Sequence, residues 1–262
     1  MTLLIHELKI NVKTLLIWAC SVGIICFGCI LLFEGLAETM EGMSDMYANM
    51  GAFSAALGLD KLSISTMEGY YATEVALIFA IGGAMFAAMT GAAMISKEEE
   101  GHTGEFLNTL PFGRSYIVLW KYAALVCLVL LFNFLCLLWI LAGFWGAGEM
   151  PEVNEFIVYH GAQILMHLEV GSICFFISAL SKRKQTGAAL GLAILLYGAD
   201  MMCRVVPDIE NLKYVTPYYF SNGADIFASG SVDGIMIIIS ILITIAAVLA
   251  ATVIYRRRDL SA

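Results

Sequence analysis

His160, Gln163, His167 and Glu169 interrupt one stretch of sequence that is otherwise apolar. On a helix, His160, Gln163 and His167 fall at i, i+3 and i+7 on one face, while Glu169, two positions on, points elsewhere. Imidazole, amide and carboxyl groups so placed suit a polar path through an apolar layer, a proton or ion relay, or a structural network that satisfies itself. They suit a metal poorly, because this stretch holds only two histidines and zinc takes three or four protein ligands. No metal site is expected.

Covalent and hydrolytic chemistry leave no trace. No H-E-x-x-H or G-x-S-x-G motif occurs, and no G-x-x-x-x-G-K-[ST] phosphate loop. The chain is therefore not expected to be an enzyme or to hydrolyse a nucleotide itself. Cys26-Phe27-Gly28-Cys29 matches C-x-x-C but lies inside an apolar run, where cysteine behaves as a small hydrophobe. The seven cysteines form neither a zinc-spaced set nor a disulfide framework.

A second candidate is the polar run Ser96-Lys97-Glu98-Glu99-Glu100-Gly101-His102-Thr103-Gly104-Glu105-Phe106-Leu107-Asn108-Thr109-Leu110-Pro111-Phe112-Gly113-Arg114. Thr103 can cap a short helix with Glu105 in its first turn, and Pro111 stops it. Phe106 and Leu110, at i and i+4, then share a face. A short helix with an exposed apolar face needs a partner; an ordinary solvated acidic loop is the plain alternative.

The elements that position these residues follow from composition. Of 262 residues, 60% are hydrophobic and 14% charged, whereas a soluble domain carries about a quarter charged residues. About 20 apolar residues cross the roughly 30 Å hydrocarbon layer as a helix. Six segments qualify, 15–33, 72–95, 117–145, 156–180, 186–206 and 235–255, and the third is long enough to tilt or protrude. Glu169 then lies near mid-membrane, where an ionised carboxylate facing lipid costs roughly 2.5–3.5 kcal/mol. It is expected to face the bundle, carry a proton or touch water. Glu74 and Asp200 lie near outer span ends and ask for no special role.

Orientation follows from the basic residues. Lys9, Lys13, Lys97, Arg114, Lys121, Lys182, Arg183, Lys184, Arg256, Arg257 and Arg258 fall on the side of the amino terminus; Lys61, Arg204 and Lys213 fall on the other. Positively charged loops resist translocation, so both termini are expected to be cytoplasmic in a multi-pass plasma-membrane protein. The extracellular loop 34–71 is then acidic and methionine-rich, and loop 96–116 is cytoplasmic. The net charge of −8 comes from carboxylates clustered in a few loops, and no nucleic-acid footprint appears. Residues 1–14 read as an amphipathic interface helix on membrane lipid, with Leu4, Leu8, Val12 and Leu15 on one face and His6, Lys9 and Lys13 on another; the plain alternative extends the first span. Gly83, Ala87 and Gly91, and Gly187 with Gly191, are small residues at four-residue spacing that let helices approach closely.

Lys97 to Leu107, followed by Leu110-Pro111-Phe112-Gly113-Arg114 and Lys121, resembles the cytoplasmic signature of type-2 ABC transporter permeases. Gly69-Tyr70 before the second span and Tyr214-Val215-Thr216-Pro217-Tyr218-Tyr219 before the sixth sit where that family has similar turns, so the likeness covers nearly the whole chain. His102 separates a Gly-Thr pair that the family usually keeps adjacent.

The resemblance implies an all-α fold: a single transmembrane domain over 1–262 with six transmembrane helices, the interface helix and a short cytoplasmic coupling helix at about 103–110. That helix would dock on a separate ATPase subunit, with Glu98, Glu99, Glu100, Thr103, Glu105, Phe106, Leu107, Leu110 and Arg114 at or near the interface. ATP and magnesium would be bound by that partner, leaving this chain without a cofactor. A second permease copy would complete a homodimer, the second and fifth helices contributing to a path for an amphipathic substrate, peptide or drug-like, moved outward. The competing reading is an ion- or proton-coupled secondary transporter using Glu169, His160 and His167, although neither inverted repeats nor broken spans are evident.

Overall fold

The computed structural model describes residues 2–103 and 112–257. Among them the chain is helical without strands, and six helices are long and apolar enough to cross a membrane. The first, α1 (Thr2–Ala48), is a single helix of 47 residues, about 70 Å at 1.5 Å per residue. Its buried residues Leu15, Ala19, Val22, Cys26, Ile30 and Phe33 recur every three or four positions and make one stripe.

Two expectations change here. Residues 2–14 are not a separate interface helix but the first turns of α1, because nothing in that stretch breaks the helix. His6, Lys9 and Lys13 do lie exposed, but so does Val12, expected on the apolar face with Leu15, which is buried. The first span does not end near Phe33: α1 runs on to Ala48 through the expected loop 34–71, where the short helices α2 (Ala52–Leu57) and α3 (Met67–Tyr70) follow.

The second span, Met67–Ala93, is α3, a π-helical turn (Tyr71–Val75) and α4 (Ala76–Ala93) in series. The wide turn carries fully buried Tyr71. After the short α5 (Ser96–Glu100), the remaining spans are α6 (Arg114–Ala147), α7 (Val153–Leu180), α8 (Thr186–Val205) and α10 (Gly234–Arg257). The small α9 (Gly223–Ser229) precedes α10.

Helix α4 sits centrally, against α7, α8, α1 and α6; α1 packs most extensively on α6, and α10 on α7. Close approach of α4 to α7 requires glycine. A Cβ on Gly83 would lie 2.1 Å from the His167 ring, and one on Gly91 would lie 2.3 Å from the Gly171 carbonyl. Around these contacts Phe132 stacks on Phe86 at 4.8 Å and on Phe79 at 6.4 Å.

Beyond α8 the chain turns back on itself. A 3-10 helix (Pro207–Tyr214) lies against α8 and brings the Thr216 hydroxyl within 2.8 Å of the Leu196 carbonyl. Leu196 lies nine residues before the end of α8, roughly 14 Å back along it. The Ser221 carbonyl then accepts from Gln163 of α7 at 2.6 Å, before α9. Non-helical backbone beside spans is tolerated where protein or water satisfies its polar groups, and these side-chain bonds do part of that.

Candidate functional site

Both described ends of the chain lie at one end of the bundle, because Arg114 at the start of α6 donates to the carbonyl of Arg256 at the end of α10, 3.3 Å, and Lys121 two turns on meets Glu7 near the start of α1. At this end Glu7 of α1 is fully buried and Lys121 of α6 is 1% exposed. Lys121 Nζ reaches Glu7 Oε1 at 2.5 Å, Glu98 Oε1 at 2.8 Å and the Met94 carbonyl at 3.0 Å, so all three ammonium protons are engaged. Lys97 binds the other oxygen of Glu7. Two carboxylates and two ammonium groups cancel, which is the condition for burying charge in a low dielectric. The node joins α1, the end of the second span and α6.

The same node fixes the chain up to residue 103. Thr103 donates its hydroxyl to Glu98 Oε2 at 2.8 Å. The Thr103 amide donates to the Glu98 carbonyl, 2.8 Å, and the His102 amide to the Glu99 carbonyl, 3.1 Å. This is a Schellman termination of α5 whose left-handed residue is His102, at φ 54°, in the place usually held by glycine. The inserted histidine noted in the sequence is thus the residue that turns the chain. Glu100 accepts from the Lys184 amide at 2.8 Å, and the Ser178 hydroxyl accepts from the amides of Ile95 and Ser96, tying α7 and the approach to α8 to the same corner. Burial works to raise the Glu98 carboxyl, but Lys121, Thr103 and Lys97 together hold it below its ordinary value. Lys97 is pushed down, by burial first and by Lys121 second, against the pull of Glu7.

A second node closes the opposite end. Asp200, expected to need no special role, is 1% exposed and accepts from Arg204 Nε at 3.0 Å. Arg204 Nη1 reaches Asp225 Oδ2 at 2.7 Å, and Lys61 reaches Asp225 Oδ1 at 2.6 Å. Arg204 also donates to the Tyr219 carbonyl and lies 4.5 Å over that tyrosine's ring. Two carboxylates again meet two cations. Burial would raise Asp225, yet Arg204 and Lys61 keep it below its ordinary value.

Between the nodes lie the polar residues of α7. His160 Nε2 makes a hydrogen bond of 3.0 Å with the Tyr71 hydroxyl. His167 Nε2 donates to the Ala80 carbonyl at 3.2 Å, and Nδ1 lies 3.1 Å from the side-chain amide of Asn133. Gln163 and Asp200 line a cavity among α4, α7, α8 and the returning segment. Glu169 faces away from all three, toward α10 and residues 213–220. These four residues therefore lie along one helix but meet different elements.

Glu98, Glu100, Thr103 and Arg114 gather at the termini end, with Glu99 beside them in α5; Glu105, Phe106, Leu107 and Leu110 lie outside the described residues. Gly83, Ala87 and Gly91 pack against α7 of the same chain. Nothing lies within 4 Å of where a Cβ on Gly187 or Gly191 would sit. Glu7 was missed. Its signal was present, since at 100° per residue it stands about 60° from Leu4, on the flank of the apolar stripe rather than with His6, Lys9 and Lys13.

Six helices long and apolar enough to cross a membrane define a multi-pass membrane protein, and no group of three or more metal-ligating side chains occurs among the described residues. Residues 1–260 match the ABC-2 family transporter protein, and the chain belongs to that family. It is the membrane component of an ABC-2 transporter, a class that generally pairs with ATPase subunits and typically lacks ATPase activity of its own. No curated protein is similar enough to the chain to count as a match.

Proposed function

We propose that this chain is the permease subunit of an exporter that moves an amphipathic substrate outward across the plasma membrane, driven by ATP that a separate subunit hydrolyses with magnesium. Both termini and the 96–116 loop are cytoplasmic in this reading, with the coupling surface formed by Glu98, Glu99, Glu100, Thr103, Glu105, Phe106, Leu107, Leu110 and Arg114. The observation that carries it is the anchoring on both sides of residues 104–111. Glu98 and Thr103 hold one flank to α1 and α6 through Glu7 and Lys121, and Arg114 holds the other to the end of α10. Force applied to that segment passes into the spans instead of bending a loose loop. No residue of the chain is catalytic; the coupling is mechanical.

A second copy completes the path. The open faces of α8 and α10 support this, since only 22% and 11% of their most apolar windows are buried within one chain. The small residues Gly187 and Gly191 on α8 suit close approach of another helix. Affinity purification from native membranes tests the coupling: the wild-type chain carries an ATPase, and Phe106→Ala or Leu110→Ala loses it or uncouples ATP turnover from transport. Unchanged recovery and unchanged transport in both variants refute the reading.

A further inference from the structure

Among the described residues, the buried charges Glu7, Lys121 and Asp200 each have an ionic partner, whereas Glu169, 2% exposed, has none. Its Oε2 makes no hydrogen bond. The carboxyl lines a narrow cleft between α7, α10 and the returning segment, together with Tyr214, Pro217, Phe220 and Met236. The Ser240 hydroxyl stands within reach of the carboxyl in the same cleft, and the Thr244 hydroxyl, one turn further along α10, is buried without a hydrogen-bond partner. Lys213 also lines the cleft, but its ammonium is taken by Glu210 Oε1 at 2.5 Å and lies 5.4 Å from the centroid of the Tyr214 ring.

We propose that this cleft receives the ammonium group of a cationic amphiphile, with Glu169 as its counter-charge and Ser240 as a second acceptor. The chemistry of the walls chooses this class. An unpaired carboxyl in a desolvated site disfavours anions and gains most from a cation that also donates hydrogen bonds. Tyr214 and Phe220 supply aromatic rings, whose faces attract a positive charge, and with Met236 and Pro217 an apolar surface for an alkyl or aryl body. A bare divalent ion would need more oxygen ligands than one carboxylate and one hydroxyl supply. The proposal deepens the reading of amphipathic cargo given above and rests on it for the word substrate; binding itself needs neither ATP nor a partner.

The test uses the full chain in zwitterionic phosphatidylcholine nanodiscs, with empty nanodiscs subtracted, titrated with dodecylammonium and with dodecanol as the uncharged match. Saturable binding of the amine and not of the alcohol is expected. Glu169→Gln should weaken it by about tenfold or more, the scale of one lost charge-assisted contact. Ser240→Ala, which keeps the carboxylate and so serves if the first variant fails to fold, should weaken it by roughly threefold, as for one neutral hydrogen bond. Amine and alcohol binding alike, or amine binding unchanged in the folded variants, overturns the proposal. Either negative result leaves ATPase recovery by the 104–111 segment untouched, so failure of the cleft and failure of the coupling reading are distinguishable.

Discussion

Lys121→Met removes the cation on which the termini-end node turns. Three contacts go at once, to Glu7 at 2.5 Å, Glu98 at 2.8 Å and the Met94 carbonyl at 3.0 Å. The losses are unequal. Glu98, one-fifth exposed, keeps Thr103 and water, while fully buried Glu7 keeps only Lys97, and the node changes from neutral to one net negative charge. Breaking a buried ion pair costs about 3–5 kcal/mol, and the surviving Lys97 contact places this variant near 3. Adding Glu7→Gln restores neutrality, so the double variant should regain about 1–3 kcal/mol over the sum of the singles. Unfolding of the purified full chain in mixed micelles, titrated with a denaturing detergent, measures the three values. Strict additivity would refute the claim that Glu7 and Lys121 act as a pair, and a single variant within about 0.5 kcal/mol of wild type would refute the node's structural weight.

Gly83→Ala places a methyl 2.1 Å from the His167 ring, where overpacking costs about 1–3 kcal/mol; in a His167→Ala background the penalty should vanish, and thermal unfolding of the four proteins decides. Arg204→Met leaves Asp200 buried without a cation and should lose about 3–5 kcal/mol in the same assay, with Arg204→Lys recovering only part because one ammonium cannot copy the fork to both aspartates. Acid should loosen both nodes. Glu98 and Asp225 have folded values held below their ordinary 4.5 and 3.8, so their stabilisation is complete above those values and fades as pH falls through the folded ones. A melting temperature followed from pH 7 downward should therefore drop at the acid end, and Glu98→Gln should flatten that drop.

The spans were legible because crossing hydrocarbon demands a continuous apolar run, a property written locally in the sequence. Pairing was not. Glu7 meets Lys121 across 114 residues and Lys61 meets Asp225 across 164, and hydropathy carries no information on which buried charges find each other. Asp200 looked ordinary near a span end, and only the return of the chain toward Leu196 and α9 encloses it. The glycine spacing on the second span was visible, but spacing alone does not say whether the neighbour is in the same chain; the His167 ring against Gly83 answers for that stripe. The amphipathic start of α1 shows the opposite limit, since a face drawn from four apolar positions omitted the one carboxylate on its flank.

The two nodes differ from Glu169 in a way that bears on how such a bundle moves. Each node is neutral and closed, holding charges on several elements at contact distance, so the elements it joins are expected to shift together. At the termini end those elements are α1, the second span and α6, which places the flank of residues 104–111 on a rigid block rather than on a hinge. Glu169, by contrast, borders the returning segment and α10, the span with the least of its apolar window buried. Motion of the block against the part of α10 around Met236 and Ser240, away from the end that Arg114 holds, would change the walls around that carboxyl without breaking either node. A charge left unpaired beside the span with the least burial, and paired wherever several elements meet, is the arrangement expected if the cleft takes a charged ligand while the nodes hold the bundle together.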